Sequence, residues 1–324
     1  MIPRPRCESE AEMLPQPEKL ALTLFRRLDV FIAVAETLSF RRAGEIVGRS
    51  QPAVTAHINQ MEESLGVKLF IRSTRQVRLT TAGAELLERG KRLMAESERL
   101  VRDIHAHAGL LTGQVVASFS PTIAVSLVPR VLAEFEVEHP GIRVMLREDL
   151  APQMFESIRN GNVDFGIGPY RPVIDELSFD PIFDQEFSLI VRMDHPIAIR
   201  GFARLKDLAN LNVICSAEGT TARAVLEDAI RAEGISIYPK YEAVHYPTLY
   251  ALAAAGFGGA VMPAVDLGML SAMGLTAVPF RGKRLARTIG KVTRRGEALA
   301  PGPKAFLRLL MAVVERESRN LGIS

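Results

Sequence analysis

The 324 residues read as an α/β protein with a mainly helical head that ends in a small two-stranded wing and a long helix. Three observations predict this. Between Ser39 and Glu63, two amphipathic helical patterns meet at Gly48. From Thr81 to about Leu110, apolar residues recur every seven positions. From Gly113 onward, short runs rich in β-branched residues alternate with helical ones.

In chain order, residues 1–19 are rich in proline and glutamate, lack a helical period and read as a disordered extension. Leu20 to Thr37 predicts one helix with Leu24, Leu28, Phe31, Ile32 and Ala35 inward. Arg26 and Arg27 near its start suit either phosphate contact or plain solvation. Ser39 then caps a helix whose Phe40, Ala43, Ile46 and Val47 share a face. Gly48 supplies the left-handed turn, and Ser50 caps a second helix that tolerates Pro52 in its first turn. Val54, Ile58, Met61 and Leu65 form the buried stripe of that second helix. Its opposite face carries Gln51, Pro52, Thr55, Ala56 and Asn59, small or polar and never acidic, as a helix entering the major groove requires. An ordinary surface hairpin of two helices is the competing reading of the pattern alone.

Val67 to Thr80 predicts a two-stranded wing, with Val67, Leu69 and Ile71 alternating on one side and Val77 and Leu79 returning. Ser73, Thr74 and Arg75 form the tip, and Arg72, Arg75 and Arg78 make it basic, suited to the DNA backbone or the minor groove. Thr80 or Thr81 caps a long helix in which Leu86, Leu93 and Leu100, and Leu87, Met94 and Val101, repeat in heptads that Ile104 extends. Gly90 and Ser97 interrupt this seam. The stripe suits pairing with a second copy; packing on its own domain is the alternative.

These words resemble the N-terminal winged helix-turn-helix of the LysR-type transcriptional regulators. Ser39-Phe40-x-x-Ala43, Ser50-Gln51-Pro52-Ala53-Val54-Thr55, Met61-Glu62-x-x-Leu65-Gly66-Val67-x-Leu69-Phe70 and Leu79-Thr80-x-Ala82-Gly83 stand in order without a gap. The resemblance implies a DNA-binding domain over 20–80 with its helix-turn-helix motif from Phe40 to Asn59, and a dimerisation helix over 81–111. It also implies a two-lobed α/β effector domain, similar to periplasmic binding proteins, over 112–314, with 315–324 as a tail. Lobe 1 would span about 112–188 and 277–314, and lobe 2 about 189–276. The crossings between them would fall near Phe187–Ile190 and Ala264–Thr276. Expected DNA-binding residues are Ser50, Gln51, Pro52, Thr55, Ala56, His57, Asn59, Arg72 and Arg75. The family often carries arginine where Ala56 stands, which leaves His57 as the nearest replacement for a guanine contact.

In the body, strands are expected over Val115–Ser120, Ile142–Glu148, Val163–Gly168, Leu189–Arg192, Asn212–Cys215, Tyr241–Ala243 and Gly259–Met262. Helices are expected over Pro121–His139, Met154–Asn160, Thr221–Glu233, Thr248–Ala255 and Lys304–Val314. Such alternation implies parallel sheets covered on both faces. Ligands of open α/β sheets bind beyond the carboxyl ends of strands. Ser120 and Thr122, Gly168, Ser216, Thr220 and Arg223, and His245 and Thr248 stand there, and the resemblance makes them effector-binding candidates. For each, a helix cap or turn without a ligand is an equal reading. Glu218 would repel an anion unless Arg223 neutralises it, which leaves the charge of the ligand open; the expected effector is a small organic acid or metabolite. A basic run from Arg281 to Arg295, which includes Arg287, reads as a solvated strand pair.

Composition sets the bounds. With 48% hydrophobic and 24% charged residues, the chain is of ordinary globular type. Net charge is only +3, but it is unevenly spread: residues 20–80 and 281–324 are basic and the stretch between is acidic, which suits a nucleic-acid head on a different module. The sequence shows no secretory signal and no stretch of membrane-spanning length, and its two cysteines, Cys7 and Cys215, are far apart. A cytoplasmic protein with free thiols is expected. No nucleophile elbow, zincin motif or phosphate loop is found. His105 and His107 fall on different helix faces, and His139 and His195 precede prolines. The glycine run at Gly256 fails the dinucleotide pattern at Val261. No catalytic residue, metal or cofactor is therefore expected. The expected partners are double-stranded DNA, a small effector, a second or further copies of the chain (homodimer or homotetramer) and RNA polymerase, with no membrane. A cytoplasmic two-lobed solute-binding or enzyme-like protein is the alternative.

Overall fold

A computed structural model describes residues 17–72, 76–107, 113–172, 175–263, 267–282 and 284–321. The chain divides into two compact units, Met1–Glu98 and Arg99–Ser324.

The first unit holds α1 (Pro17–Phe25), α2 (Leu28–Thr37), α3 (Phe40–Val47), α4 (Gln51–Leu65), β1 (Phe70–Arg72), β2 (Val77–Leu79) and the start of α5 (Thr81–His107). The single helix expected over 20–37 is two. It begins at Pro17, within the predicted extension, and breaks at Arg27, whose φ of −122° and ψ of 3° leave the helix. The break lets α1 lie on α4 while α2 packs on α3. Arg27 fastens the corner by donating from Nη2 to Gln60 Oε1 at 2.8 Å. Residues 1–16, the rest of the predicted extension, lie outside the described residues.

The helix pair follows its local chemistry. Ser39 Oγ accepts from the Arg42 amide at 3.3 Å and Ser50 Oγ from the Ala53 amide at 3.4 Å, while Gly48 turns the chain at φ 65°. Val54, Ile58 and Met61 join Leu28, Phe31, Val34 and Ala43 in one core. Ile46, expected inward, is exposed.

The wing departs from its expected alternation. Leu69 and Phe70 are both buried, whereas Val67 and Ile71 are exposed. The amides of both buried residues donate to Glu62 Oε1, at 3.0 and 3.1 Å, and two successive amides turned to one oxygen are incompatible with an extended pleat. The strand therefore starts at Phe70, three residues later than expected, and within it Phe70 and not Ile71 faces the core.

Thr80 caps α5: its Oγ accepts from the Gly83 amide at 2.9 Å and donates to the Lys68 carbonyl at 2.7 Å. Gly90, expected to be a gap in the heptad seam, is a close crossing over α2, because a Cβ there would meet Leu28 Cδ1 at 2.7 Å. Leu86, Leu87 and Met94 pack on the head's core, and Leu93, Leu100, Val101 and Ile104 are exposed.

The second unit is a two-lobed mixed sheet. Its strands are β3 (Gln114–Phe119), β4 (Arg143–Glu148), β5 (Phe165–Pro169), β6 (Leu177–Arg192), β7 (Val213–Ser216), β8 (Tyr241–Ala243), β9 (Gly259–Pro263), β10 (Leu275–Pro279) and β11 (Ala286–Arg294). Its helices are α6 (Pro121–Ser126), α7 (Val128–Glu138), α8 (Ala151–Arg159), α9 (Pro196–Arg200), α10 (Thr221–Ala232), α11 (Tyr246–Ala254), α12 (Leu267–Ala272) and α13 (Pro301–Leu321). The order is β4-β3-β5-β11-β6-β9-β7-β8, with β10 on the other edge of β6.

β3 is parallel to β4 and β5, and β7 to β8 and β9. β6 and β11 are antiparallel to their neighbours, so the sheets are not wholly parallel. Residues 177–186 of β6 pair with β11 in lobe 1, and residues 187–192 pair with β9 and β10 in lobe 2. The first crossing thus falls at Glu186–Phe187. The second falls between Pro279 and Ala286, later than expected, because β10 still pairs with lobe 2; residues 264–266 lie outside the described residues.

Alternate residues of the inner strands serve two cores. Val115, Ala117 and Phe119 face α7 and α13, whereas Val116 faces α8. The helix expected over 121–139 breaks at Leu127, because Pro129 cannot supply the amide a continuous helix needs. α13 runs on through most of the predicted tail; residues 322–324 lie outside the described residues.

Gly83 sits where α5 touches the wing, and a Cβ there would lie 2.2 Å from the Leu69 carbonyl oxygen. Gly83→Ala should lower the stability of the head by ~1–3 kcal/mol, read by urea unfolding. An unchanged midpoint would show that α5 does not press on the wing.

Candidate functional site

The face of α4 opposite its core stripe presents Gln51, Pro52, Ala56 and Asn59, all exposed. Thr55 is half-buried, and its hydroxyl donates to the Gln51 carbonyl at 2.9 Å, leaving its lone pairs as acceptors. Ser50 is committed to its cap. His57 stands on the flank, half-buried, with Nδ1 sealed and unpartnered. Burial, then Arg49 and Arg27, lower its pKa against the pull of Asp29, so it is neutral near pH 7. It does not share the open surface with Ala56.

Arg72 stacks its guanidinium 4.7 Å from the Phe40 ring centroid and lies 3.5 Å from Glu62 Oε2. Arg78 donates to Gln76 Oε1 at 3.0 Å. Arg75, with Ser73 and Thr74, lies outside the described residues.

Glu62 was not singled out from the sequence. Its carboxylate is 2% exposed, holds the amides of Leu69 and Phe70, and accepts from Lys68 Nζ at 2.9 Å. Burial pushes its pKa up, but Lys68, the two amides and Arg72 outweigh that and hold it below the usual carboxylate value. The signal was present: Glu62 follows Val54 and Ile58 by eight and four positions, on the apolar stripe itself.

In the second unit, the cleft between the lobes brings together Ser120 and Pro169 from lobe 1 with Ser216, Thr220, Thr221 and Tyr246 from lobe 2. Ser120 and Ser216 are each 3% exposed, and neither hydroxyl has a partner. Thr122 is buried and donates to Gln185 Oε1 at 3.2 Å. Thr220 caps α10 by accepting from the Arg223 amide at 3.2 Å.

Other candidates stand apart from this lining. Gly168 packs under Met154, whose Cε a Cβ would meet at 2.9 Å. Arg223 is bound to Glu227 at 2.6 Å and Glu242 at 2.8 Å, not to Glu218. Burial lowers its pKa, but the two carboxylates overcome this and raise it. His245 lines a neighbouring chamber, and Thr248 is exposed in the first turn of α11.

Arg287 is the residue the sequence reading misplaced. It is 8% exposed, not solvated, and stands in the cleft. Nε and Nη2 donate to Gln185 Oε1 at 3.1 and 2.9 Å, Nη2 to Thr122 Oγ1 at 3.0 Å, and Nη1 to Thr221 Oγ1 at 3.0 Å. Burial lowers its pKa and Tyr246 partly opposes this, yet a guanidinium keeps its proton. The alternation of Leu285, just before β11, with Arg287 and Ile289 on one side of it would have revealed it. Other members of the run do meet solvent, as ion pairs: Arg284 with Glu186 and Lys291 with Asp180, both at 2.8 Å. Lys283 lies outside the described residues.

With this geometry in view, two family models match. "Bacterial regulatory helix-turn-helix protein, lysR family" covers residues 25–84, and "LysR substrate binding domain" covers residues 108–315. The uncharacterised HTH-type transcriptional regulator YfeR of Shigella flexneri is 33% identical over 75% of this chain and 79% of its own. The uncharacterised regulator YbhD of Escherichia coli K12 is 27% identical over 91% and 93%. The solved structure of full-length CbnR complexed with its target DNA shares the fold, with a TM-score of 0.67 at 22% identity over 90% of this chain and 99% of that one.

The chain is therefore a DNA-binding transcriptional regulator with an effector-binding domain, and it belongs to the LysR-type family. The helix-turn-helix match sets aside the lone solute-binding alternative. Among the described residues no helix is long and apolar enough to cross a membrane.

Because the Glu62 pKa is lowered in the folded head, its contribution to stability is present above the unfolded-state pKa and is lost as pH falls through the folded one. Glu62→Gln should cost about 2 kcal/mol at pH 7 and flatten the acid limb of the stability–pH curve. Equal destabilisation of wild type and variant between pH 7 and pH 3 would show that the carboxylate's charge is not what holds the wing.

Proposed function

We propose that the exposed face of α4 reads base edges. Gln51, Pro52, Thr55, Ala56 and Asn59 would face the major groove, with Ser50 at the helix start and Arg75 on the backbone beside it. The observation that carries this is an open helix face free of acid from Gln51 to Asn59, held rigidly by a capped turn on one side and the Glu62 clamp on the other. Arg72 supports the reading helix through Phe40 and Glu62, and its phosphate contact is secondary to that role.

The protein acts as a homodimer or homotetramer in the cytoplasm, and the exposed Leu93, Leu100, Val101 and Ile104 supply the apolar stripe for pairing. Two copies present two reading helices to half-sites about one DNA turn (~34 Å) apart. A small molecule held between the lobes by Ser120, Ser216, Thr220 and their neighbours shifts the balance between lobe arrangements. That shift requires different affinity for the two. RNA polymerase is the downstream partner. The protein works by binding and carries out no reaction.

Gln51→Ala should weaken binding to the specific site by ~1–3 kcal/mol while sparing random DNA, measured by gel shift on the region upstream of its own gene. Equal loss on both duplexes would remove Gln51 from base reading. Arg75→Ala should reduce the slope of log affinity against log salt by about one. A slope identical to wild type would take the wing tip out of the phosphate contacts.

A further inference from the structure

We propose that the ligand of the interlobe cleft is a monocarboxylate with an apolar body, and that Arg287 is its counter-ion. This rests on the reading that the cleft holds the effector, and it adds the charge, the shape and the anchoring residue.

The first observation is a buried charge without an answer. The oxygens that bond Arg287 are amide and hydroxyl oxygens, from Gln185, Thr122 and Thr221, with the Tyr246 phenol as a further side-chain partner. Among the described residues it has no acidic partner. The acids flanking Gln185 on β6 turn outward: Glu186 and Asp184 both meet Arg284. A guanidinium held away from water with only neutral partners is destabilising until an anion joins it.

The second observation is a pair of orphan hydroxyls. Ser120 Oγ on lobe 1 and Ser216 Oγ on lobe 2 line the same space as Arg287, and both lack partners. Buried hydroxyls without partners are rare, and two on facing walls beside an uncompensated cation form a built receptor for acceptor oxygens. The free volume there is only about 20 Å³. A flat, singly charged carboxylate suits so small a space and the planar fork of a guanidinium, whereas a tetrahedral dianion would need more room and a second cation.

The third observation gives the body. Past Pro121 and Tyr246, which line both spaces, the cleft opens into a chamber of about 240 Å³ walled mainly by Val125, Pro247, Met269 and Met273, with Glu148 and His245 as its charged or polar lining. Such walls take an aliphatic or aromatic group, and methionine adapts to either. Tyr250 Oη is buried in this chamber without a partner and would take one polar group on the body.

The test uses the full chain, calorimetric titration and thermal unfolding. The probes are sodium hexanoate and sodium 3-phenylpropanoate, their primary amides, and sodium acetate. The tailed carboxylates should raise the melting temperature and bind about tenfold or more tightly than their amides, and acetate should bind far more weakly. Arg287→Met should abolish the preference for carboxylate over amide. Val125 is half-exposed, so Val125→Trp should fold normally while filling the chamber, and it should weaken the tailed carboxylates about tenfold. Equal binding of amides and carboxylates to wild type, or a preference that survives Arg287→Met, overturns the proposal. If the amides bind and Val125→Trp blocks them, the cleft stands as the effector site and only the anion falls. If no tailed probe binds, the proposal falls as well.

Discussion

An ionised group taken out of water has to be answered by its surroundings, and that constraint organises both units of this regulator. In the head, the Glu62 carboxylate is almost fully enclosed and is answered by two backbone amides, Lys68 and Arg72. Those bonds tie the end of the reading helix to the first strand of the wing. The end of α4 and the start of the wing are therefore joined by direct bonds. In the body, Arg287 is enclosed as deeply, but amide and hydroxyl oxygens are its only answer among the described residues. The head's buried charge is satisfied and structural. The body's is met by neutral groups alone among the described residues and stands in the interlobe cleft.

The route of the chain explains how one guanidinium reaches both lobes. β6 runs for 16 residues, its first part in one sheet and its last part in the other, and β11 begins just after the return crossing. Arg287 is the second residue of β11, so it emerges at the junction itself. There Thr122 and Gln185 approach from lobe 1 and Thr221 from lobe 2. The cleft also lies beyond the carboxyl ends of β3 and β7, the place where strands of an open sheet leave room for a ligand. A residue at that junction bonds to both lobes at once.

Much of the head was legible because its signals are local. The caps at Ser39 and Ser50, the turn at Gly48 and the apolar stripe of α4 each depend on residues within a turn or two of one another. The break at Arg27 was hidden because no proline or glycine marks it; α1 and α2 simply serve different neighbours. The wing's inverted face was hidden because the cause, Glu62, lies seven and eight residues earlier in another element. In the cleft, Ser120, Ser216 and Thr220 were found by their positions after strands. The partners of Arg223 were hidden because one of them, Glu242, comes from β8, far along the chain, while Glu227 lies one turn on in α10.

By itself, the sequence determined the class of most elements, the basic head, the acid-free outer face of α4 and the family to which the chain belongs, since these rest on periodicity and short words. Only the tertiary structure decided which charges are buried and who answers them. Arg287 and Arg281 stand in one basic run. Yet the first is enclosed between lobes and the second lies in the open over Phe202. Burial is a property of what folds back over a residue from far away in the chain, and for Arg287 those residues are Thr122, Gln185 and Thr221, 165, 102 and 66 positions distant.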